Sequence, residues 1–488
     1  MQERNVDIAV IGAGTAGMGA FSAARKHTDS VLLIEQGPYG TTCARVGCMP
    51  SKLLIAAANT AYAVRSAAPF GVHPEGKLHI DGREVLERVR HERDHFVGGV
   101  LRSIENIDQD NKLTGHAFFE SPHTLIVDDH TRVSAKRIVI ATGSGATYPD
   151  SFQAAGDRLI TNDNIFELDT LPESVAVFGP GIIGLELAQA LHRLGVRVRV
   201  FGIGGALGPL SDDRVRHYAD DAFNQEFYID PEATTENIER HGDSVAVTFI
   251  ERDSGERLTE HFDYLLAATG RAPNLNQLKL ENAGLKLNEH GVPVFDDQRL
   301  QCQNADGSQG HIFIAGDTDN ELPVLHEASD EGHIAGDNAG RFPDVRDGRR
   351  RAPLSIVFCD PQIAIVGLGY AELKKHYDDK QWETGEVSFE DQGRSRMMRV
   401  NKGLLRVYGE HGSGLFLGAE AFGPSVEHLA HLMAWALQQH MTVAQMLDMP
   451  FYHPVIEEGL RTALRDLNAS LQLGPAVVER CMEYGPGD

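Results

Sequence analysis

Two cysteines five positions apart, Cys43 and Cys48, are the residues of this chain most suited to redox chemistry. Gly47 precedes the second cysteine, Pro50-Ser51-Lys52 follows it, and an Ala/Leu-rich segment then begins. A thiolate at the start of such a helix would be stabilised by the helix dipole. Because residues five apart span about 7.5 Å of helix, a disulfide here needs an irregular turn. The residues alone leave three interpretations open: a redox-active pair, two structural thiols, or half of a zinc site.

A glycine-rich loop near the N-terminus predicts a dinucleotide-binding unit. Gly12, Gly14 and Gly17 follow the apolar strand Val6–Ile11, and a second strand ends at Glu35, 23 residues after Gly12. In this pattern the glycines permit a tight turn and close approach of a pyrophosphate to the helix N-terminus. The acid at the second strand binds ribose hydroxyls.

The same pattern recurs later in the chain, at Gly179, Gly181 and Gly184. This internal repeat predicts two dinucleotide-binding units, and therefore two electron carriers or one unit that has lost its ligand. The position that corresponds to Glu35 is occupied by Gly202, so the usual signal for adenosine selection is missing from the second unit.

A possible proton acceptor lies late in the chain, where His453 is followed by Glu457 and Glu458. A histidine oriented by a carboxylate can serve as a general base. The residues alone also fit a capping or buried histidine. We expect Pro454 to lie in the first turn of the last helix.

The bulk properties exclude several functional classes. The chain has 488 residues, enough for about three domains, and a formal net charge of −25, which argues against nucleic-acid binding. No apolar run spans a membrane, no signal peptide precedes the first strand, and a cytoplasmic location is expected. No metal site is expected, since His428 and His431 lack further ligands nearby. The basic run 341–351 is expected to be a solvated loop, and no function is expected for the tail 467–488.

Together these motifs resemble the class I pyridine nucleotide-disulfide oxidoreductases over about residues 5–466. The motifs that carry the resemblance are Gly12-x-Gly14-x-x-Gly17, Cys43-x4-Cys48-x-Pro50-Ser51-Lys52, Ala141-Thr142-Gly143, Gly179-x-Gly181-x-x-Gly184-x-Glu186, Ala268-Thr269-Gly270-Arg271, Ala315-Gly316-Asp317 and His453-Pro454-x-x-x-Glu458. The resemblance implies an α/β fold with two Rossmann-like FAD/NAD(P)-binding domains and a C-terminal α+β dimerisation domain. The implied divisions are an FAD domain (1–150), an NAD domain (151–273), a central domain that completes the FAD site (274–347), a dimerisation domain (348–466) and a tail (467–488).

The resemblance also implies roles for individual residues. Cys43 would exchange with a dithiol substrate, and Cys48 would be the thiolate over the flavin. His453, held by Glu458, would be the base and would reach the disulfide of the other subunit. The implied cofactor-binding residues are Gly12, Gly14, Gly17, Glu35, Lys52, Gly115, Thr142, Gly143, Gly179, Gly181, Gly184, Glu186, Gly202, Gly270, Arg271, Asp317 and His326. Among these, Lys52 would approach the flavin and pair with Glu186, and Asp317 would bind the ribityl chain.

The implied activity is oxidation of dihydrolipoamide, carried on a lipoyl domain, by a homodimer that uses FAD and NAD. The implied partners are a 2-oxoacid dehydrogenase or glycine cleavage complex. Related disulfide reductases are alternatives, but the loop after Gly202 lacks the arginines of NADP users. Mercuric reductases carry a C-terminal pair of adjacent cysteines, whereas only Cys481 is present here. A mainly structural subunit of such a complex is a further alternative.

Several positions depart from the family pattern. Ala44-Arg45 replaces the usual Leu-Asn, Met49 replaces the usual Ile, and Val455 replaces the usual Thr. None of these substitutions removes a reacting group. Because they lie in the motifs, however, the motifs specify the substrate less closely than in typical members of the family.

Overall fold

The computed structural model describes residues 1–474, so Cys481 and the end of the predicted tail lie outside the described residues. Two mostly parallel sheets follow one another along the chain, and an antiparallel sheet follows them. This arrangement confirms the predicted α/β fold class. Within residues 1–474, no helix combines the length and the apolar composition that crossing a bilayer requires.

The first sheet has eight strands, and its centre is parallel because the first glycine-rich unit forms it. Its main path runs, in spatial order, through Gln301–Gln303, Gln309–Ile314, Thr131–Ile140, Gln2–Ile11, Val31–Glu35 and Lys112–Thr114, with Ala117–Ser121 and Thr124–Val127 added beside Thr131–Ile140. Ile8, Val10 and Leu33 are fully buried, as expected for strands covered on both faces. Residues from beyond the second unit therefore return to complete the first sheet.

The second sheet is parallel throughout and repeats the first arrangement. Its spatial order is Tyr228–Asp230, Arg197–Phe201, Ser174–Phe178, Tyr264–Ala267 and Leu159–Ile160. A three-stranded antiparallel sheet, Thr235–His241, Ser244–Ile250 and Arg257–Phe262, packs beside it. The short strands Ser144–Ala146 and Arg271–Pro273 pair with each other where the chain passes between the two units.

The third sheet is antiparallel, in the order Leu354–Val357, Gln362–Gly367, Phe416–Gly423, Leu404–Glu410 and Trp382–Ser388. The last of these strands was not predicted, because glutamates and Gly385 interrupt its apolar alternation. The fold explains the glycine: a Cβ at Gly385 would lie 2.2 Å from the carbonyl oxygen of Ala463, so only glycine lets the final helix pack on this strand.

The α-helices cover the sheets and lie at Thr15–Ala24, Thr42–Arg45, Cys48–Arg65, Gly82–Glu105, Ile182–Arg193, Asp213–Asn224, Leu325–Arg341, Tyr370–His376, Gly393–Met397, Val426–Gln438, Val443–Leu447 and Glu458–Ser470. Short 3₁₀ segments occur at Ala68–Phe70, Gln109–Asn111, Asp150–Arg158, Ile165–Glu167 and Leu280–Asn282.

Small residues let the first helix pack closely against the helix Leu325–Arg341. A Cβ on Gly332 would lie 2.2 Å from the carbonyl oxygen of Ala16, and one on Gly336 would lie 2.2 Å from that of Ala20. Larger side chains would separate the two helices and move the first glycine loop away from the residues that follow the strand Gln309–Ile314.

Two local predictions are wrong. The last helix begins at Glu458, so Pro454 precedes it instead of occupying its first turn. The carboxylate of Glu458 accepts the N–H of Val455, which holds this segment in a turn outside the helix. The basic run 341–351 is not wholly a solvated loop, because Arg350 lies partly buried and its guanidinium bonds the buried carboxylates of Glu327 and Glu331.

Candidate active site

The two cysteines meet at a break between two helices. Cys43 lies in the short helix Thr42–Arg45, and Cys48 is the first residue of the helix Cys48–Arg65. Gly47 joins them with φ −116° and ψ −118°, and a Cβ on it would lie 3.1 Å from the Cα of Cys43. This is the irregular turn that the five-residue spacing requires. Both cysteines are free thiols here, and they are within hydrogen-bond reach of each other.

The two thiols have opposite acidities. The hydrogen bond to Cys48, together with burial, raises the pKa of the Cys43 thiol. The same bond, donated by Cys43, lowers the pKa of Cys48 against the opposing effect of desolvation, and the charge of Lys52 lowers it further. These opposite shifts favour Cys48 over Cys43 as the thiolate of the reduced pair.

The ammonium of Lys52, one helical turn after Cys48, is fixed by residues from two other parts of the chain. Lys52 Nζ donates to both carboxylate oxygens of Glu186, at 2.9 and 2.7 Å. Glu186 is buried in the helix after the second glycine loop. Its Oε1 also accepts the N–H of Phe358, and the Phe358 ring lies 4.8 Å below Lys52 Nζ. The structure thus brings together the predicted Lys52 and Glu186 and adds Phe358, which no motif indicated.

A chain of hydrogen bonds links Arg271 to Asp317 through a residue that sequence reasoning missed. Arg271 donates to the hydroxyl and the carbonyl of Ser144, at 2.9 and 2.6 Å. The Ser144 hydroxyl donates to Asp317 Oδ2 at 2.7 Å. Arg271 also reaches Asn162, whose amide donates to the carbonyl of Val46 in the cysteine loop. The sequence signal for Ser144 was its place directly after the motif Ala141-Thr142-Gly143.

The first glycine loop has the shape of a dinucleotide cradle. A Cβ on Gly12, which has φ +103°, would lie 2.2 Å from the carbonyl oxygen of Ala141, and one on Gly17 would lie 1.8 Å from that of Gly12. Gly14 instead faces open space, and the helix Thr15–Ala24 begins there with no side-chain cap. Its free N–H groups suit a pyrophosphate, because helix N-termini attract anions.

Other predicted residues surround this cradle. Glu35 ends the second strand, and its carboxylate accepts the N–H of Ala13 at 2.7 Å. Gly115 donates its N–H to the carbonyl of Glu35. Gly143 donates to the hydroxyl of Thr318 at 2.7 Å, and the Thr142 hydroxyl lies 3.5 Å from the same atom.

His326 lies at the start of the helix that packs on the cradle. Its Nε2 atom is buried and has no hydrogen-bond partner among residues 1–474. Open space at Gly14 and an unused polar atom at His326 both fit a bound FAD.

The second glycine loop repeats this geometry closely. Gly179 has φ +102°, and its Cβ would lie 2.3 Å from the carbonyl oxygen of Ala268, while a Cβ on Gly184 would lie 1.9 Å from that of Gly179. Gly181 faces open space, as Gly14 does. Gly270, with φ +139°, follows the strand that supports the loop. These residues fit a second dinucleotide.

His453 and Glu458 form a hydrogen-bonded pair late in the chain. The side chain of His453 is 78% exposed, and its Nδ1 lies 3.0 Å from Glu458 Oε2. Among residues 1–474 it makes no hydrogen bond to Cys43 or Cys48. Desolvation opposes ionisation of Glu458, but the hydrogen bonds to His453 and Val455 outweigh it and lower the pKa of Glu458. The imidazole is therefore held by an ionised carboxylate and faces outward.

A pair of buried acids supports the turn before Asp317. Glu331 accepts the N–H of Gly316 at 2.8 Å and an Arg350 hydrogen bond at 2.7 Å. Asp319 is buried beside Glu331 and one of its oxygens has no donor among the described residues. Burial, and then the Glu331 charge, raise the pKa of Asp319 to about 8. The raised pKa favours the protonated form of Asp319 at neutral pH.

Asp319→Asn should make the protein more stable at alkaline pH. A folded-state pKa above the unfolded value means that the folded protein binds the extra proton, so wild-type stability falls as pH rises from about 4 to about 8. The amide avoids this loss, and at pH 8.5 we expect a gain of roughly 2–4 kcal/mol, shrinking to zero near pH 4. Melting temperatures of the holoprotein across this range measure it. Parallel pH profiles for the two proteins would contradict the assignment.

The chain matches two family models that together span most of its length. Residues 6–332 match the pyridine nucleotide-disulphide oxidoreductase model, and residues 354–464 match the dimerisation domain of the same family. The second match supports a homodimer.

Similar proteins agree on the family but differ in their names. A dihydrolipoyl dehydrogenase of Chlamydia pneumoniae is 29% identical, with 93% of this chain and 95% of the relative covered. A mercuric reductase of Shigella flexneri is 31% identical, with 95% and 81% covered. Among solved structures, the HOCl-induced flavoprotein disulfide reductase RclA from Escherichia coli superposes with a TM-score of 0.77 at 22% identity, with 94% and 99% covered, which shows the shared fold.

The family uses FAD together with NAD(P), in agreement with the two cradles described above. The family model covers residues 6–332, the dimerisation domain also matches, and the cysteine pair lies between two dinucleotide folds. The chain therefore belongs to the pyridine nucleotide-disulphide oxidoreductases.

Proposed function

We propose that the protein oxidises dihydrolipoamide, carried on a lipoyl domain, and transfers the electrons to NAD⁺. The observation that carries the proposal is the Cys43–Cys48 pair at a helix start, next to an ammonium fixed by Glu186 from the second dinucleotide unit. Relatives named dihydrolipoyl dehydrogenase over more than nine tenths of the chain support the choice of substrate.

The chemistry begins with the cysteines as a disulfide. A substrate thiolate attacks the sulfur of Cys43, and the S–S bond breaks toward Cys48, which leaves as a thiolate. The second substrate thiol then attacks the mixed disulfide, so lipoamide forms its S–S bond and Cys43 departs. The lowered pKa of Cys48 makes it a good leaving group, and Lys52 stabilises its charge. FAD held at the first glycine loop, by Gly12, Gly14 and Gly17, would supply the two-electron acceptor for the dithiol and the hydride donor for NAD⁺.

Each exchange step requires a proton acceptor, because only thiolates attack disulfides. The attacking thiols are those of the substrate, and Cys43 takes up a proton when it departs, because the hydrogen bond to Cys48 and burial raise its pKa. His453, oriented by Glu458, suits the role, and its exposure leaves it free to reach another chain. We propose that His453 of the partner subunit completes each site of a homodimer.

A second candidate function is reduction of Hg(II), which a 31% identical relative named mercuric reductase favours. Steady-state assays of purified holoprotein with dihydrolipoamide, glutathione disulfide and Hg(II), each with NAD(H) and NADP(H), separate the candidates. We expect dihydrolipoamide with NAD⁺ to give the highest kcat/KM. Robust reduction of glutathione disulfide or Hg(II) without lipoamide activity would reject the proposal, and inactivity with all three would favour a structural subunit of a 2-oxoacid dehydrogenase or glycine cleavage complex.

Cys48→Ser should remove the long-wavelength absorption that a thiolate gives beside oxidised flavin, because Cys48 is the thiol with the lowered pKa. Cys43→Ser is the matched control and should keep the band, since it leaves the Cys48 thiolate in place. Visible spectra of both variants at pH 8 make the comparison. A band that survives in Cys48→Ser would show that the roles of the two thiols are reversed.

A further inference from the structure

The two glycine loops differ at one pair of positions, although their backbones repeat. In the first unit the middle residue of the loop is Ala13, whose N–H donates to the Glu35 carboxylate at 2.7 Å. In the second unit the corresponding residues are Pro180 and Gly202. The acid and the amide that anchors it are therefore both missing, because proline has no N–H to donate.

The space for an acid is missing as well. A Cβ on Gly202 would lie 2.7 and 2.8 Å from two ring carbons of Pro180, and 2.8 Å from the carbonyl oxygen of Pro231. Both neighbours are rigid, one a ring and the other main chain. Pro180 and the carbonyl of Pro231 thus both require glycine at position 202, and this loop has no room for an acidic side chain there.

Another carboxylate stands beside the same loop. Gly205, in the loop after Gly202, donates its N–H to the carbonyl of Pro231. This bond holds that loop beside the residues that follow the strand Tyr228–Asp230. Glu232 Oε1 lies 2.9 Å from the position a Cβ on Gly205 would take. Glu232 is exposed, and its carboxylate receives no hydrogen bond from any residue in 1–474. It is free to accept from a ligand.

The surroundings of Glu232 carry an excess of negative charge. An open pocket of about 450 Å³ beside the loop is lined by four carboxylates and two guanidiniums, at Asp220, Asp230, Glu232, Glu251, Arg216 and Arg252. Both guanidiniums are already paired with carboxylates, Arg252 with Asp220 and Arg216 with Asp213. Arg216 Nη1 lies 3.0 Å from the same Gly205 Cβ position and donates to the carbonyl of Gly205, so the loop itself engages this guanidinium.

We propose that Glu232 determines the dinucleotide preference of the second unit, in place of the acid that Pro180 excludes from position 202. Its carboxylate accepts hydrogen bonds from the adenosine ribose hydroxyls of NAD(H) and repels the 2′-phosphate of NADP(H). This inference rests on the proposed use of NAD(H), and it assigns the selection to a residue outside the glycine motif.

Calorimetric titration of the oxidised holoprotein with ADP-ribose and with 2′-phospho-ADP-ribose tests the proposal. Neither probe carries nicotinamide or needs a thiol substrate, so a failure of dihydrolipoamide as substrate leaves this test valid. We expect wild-type protein to prefer ADP-ribose, and Glu232→Gln to reduce that preference about tenfold, since one close charge is removed and the remaining amide accepts less strongly. Glu239→Gln, an exposed acid outside the pocket, is the control for net charge. A change in preference no larger than that of the control would overturn the proposal.

The role of Pro180 is tested by restoring the acid. Gly202→Glu alone should weaken ADP-ribose binding about tenfold or more, because the new side chain displaces Pro180 or Pro231. Adding Pro180→Ala should recover part of the affinity, because it removes the two ring contacts and returns the N–H, while the carbonyl of Pro231 stays 2.8 Å from the new Cβ. Retained FAD and the melting temperature show that each variant is folded. If the single variant does not fold, recovery of a folded, FAD-containing double variant is the expected result. Undiminished binding by folded Gly202→Glu, or a double variant that binds or folds no better than Gly202→Glu, would overturn the steric argument.

Discussion

Replacing His453 by Gln should lower kcat/KM for dihydrolipoamide oxidation by about 10²–10⁴-fold, the usual contribution of a general base. The effect is large because the attacking thiols belong to the substrate, and a thiol of ordinary pKa is largely protonated near neutral pH, so each attack needs an acceptor for the proton. The measurement is the steady-state rate with dihydrolipoamide and NAD⁺ between pH 6 and 9. Reduction of ferricyanide by NADH, which needs no proton transfer at the cysteines, should stay within about twofold of wild type.

Neighbouring carboxylates provide the matched comparison for His453. Glu458 lies 3.0 Å from His453 Nδ1, and its lowered pKa keeps it ionised, so Glu458→Gln should cost about 10-fold or more. Glu457 is adjacent in sequence but makes no hydrogen bond to the histidine, and Glu457→Gln should stay close to wild type. A fully active His453→Gln protein, or a larger loss in Glu457→Gln than in Glu458→Gln, would contradict the proposed base.

The parts of the site that were predictable from sequence are those that obey short-range steric rules. Gly12 and Gly179 need positive φ and have a backbone oxygen where a side chain would be, so any chain with this turn carries glycine there. The strand Ser174–Phe178 is buried on both faces and reads as an uninterrupted apolar run. The positive φ and the apolar run depend on local backbone geometry and on burial, so a single sequence displays them directly, whereas the oxygens that face Gly12 and Gly179 come from the distant Ala141 and Ala268.

The parts that were not predictable depend on contacts between distant segments. Phe358 reaches Lys52 and Glu186 only because the third sheet packs against the second unit, and it carries no motif of its own. Asn162 reaches Val46 across 116 positions because the segment after the strand Leu159–Ile160 lies against the cysteine loop. The absence of an acid at Gly202 was visible in the sequence, but its cause was not, since the clash with Pro180 exists only in the folded loop.

Breaking a buried ion pair between the second unit and the third sheet should give the largest loss of stability. Asp212 is fully buried at the start of the helix Asp213–Asn224, and it accepts hydrogen bonds from Arg406 at 2.6 Å and Tyr408 at 3.1 Å. Glu420, also fully buried, accepts the N–H groups of Ser211 and Asp212 at 2.8 and 2.9 Å. The carboxylates of Asp212 and Glu420 thus lie in the same buried region, and Arg406 supplies the positive charge beside them.

Arg406→Met should therefore destabilise the protein by about 3–5 kcal/mol, because a carboxylate loses its cation without access to water. Thermal and urea unfolding of the holoprotein measure the loss. Arg396→Met is the control, since Arg396 pairs with Asp391 at the surface and should contribute less than about 1 kcal/mol.

The double variant Asp212→Asn/Arg406→Met removes the unpaired charge and keeps an oxygen to accept the helix N–H groups. It should be more stable than Arg406→Met alone, because most of the cost of the single change is the isolated charge and little of it is the lost contact. A double variant at least as unstable as the sum of its single variants would show that Arg406 acts by packing alone.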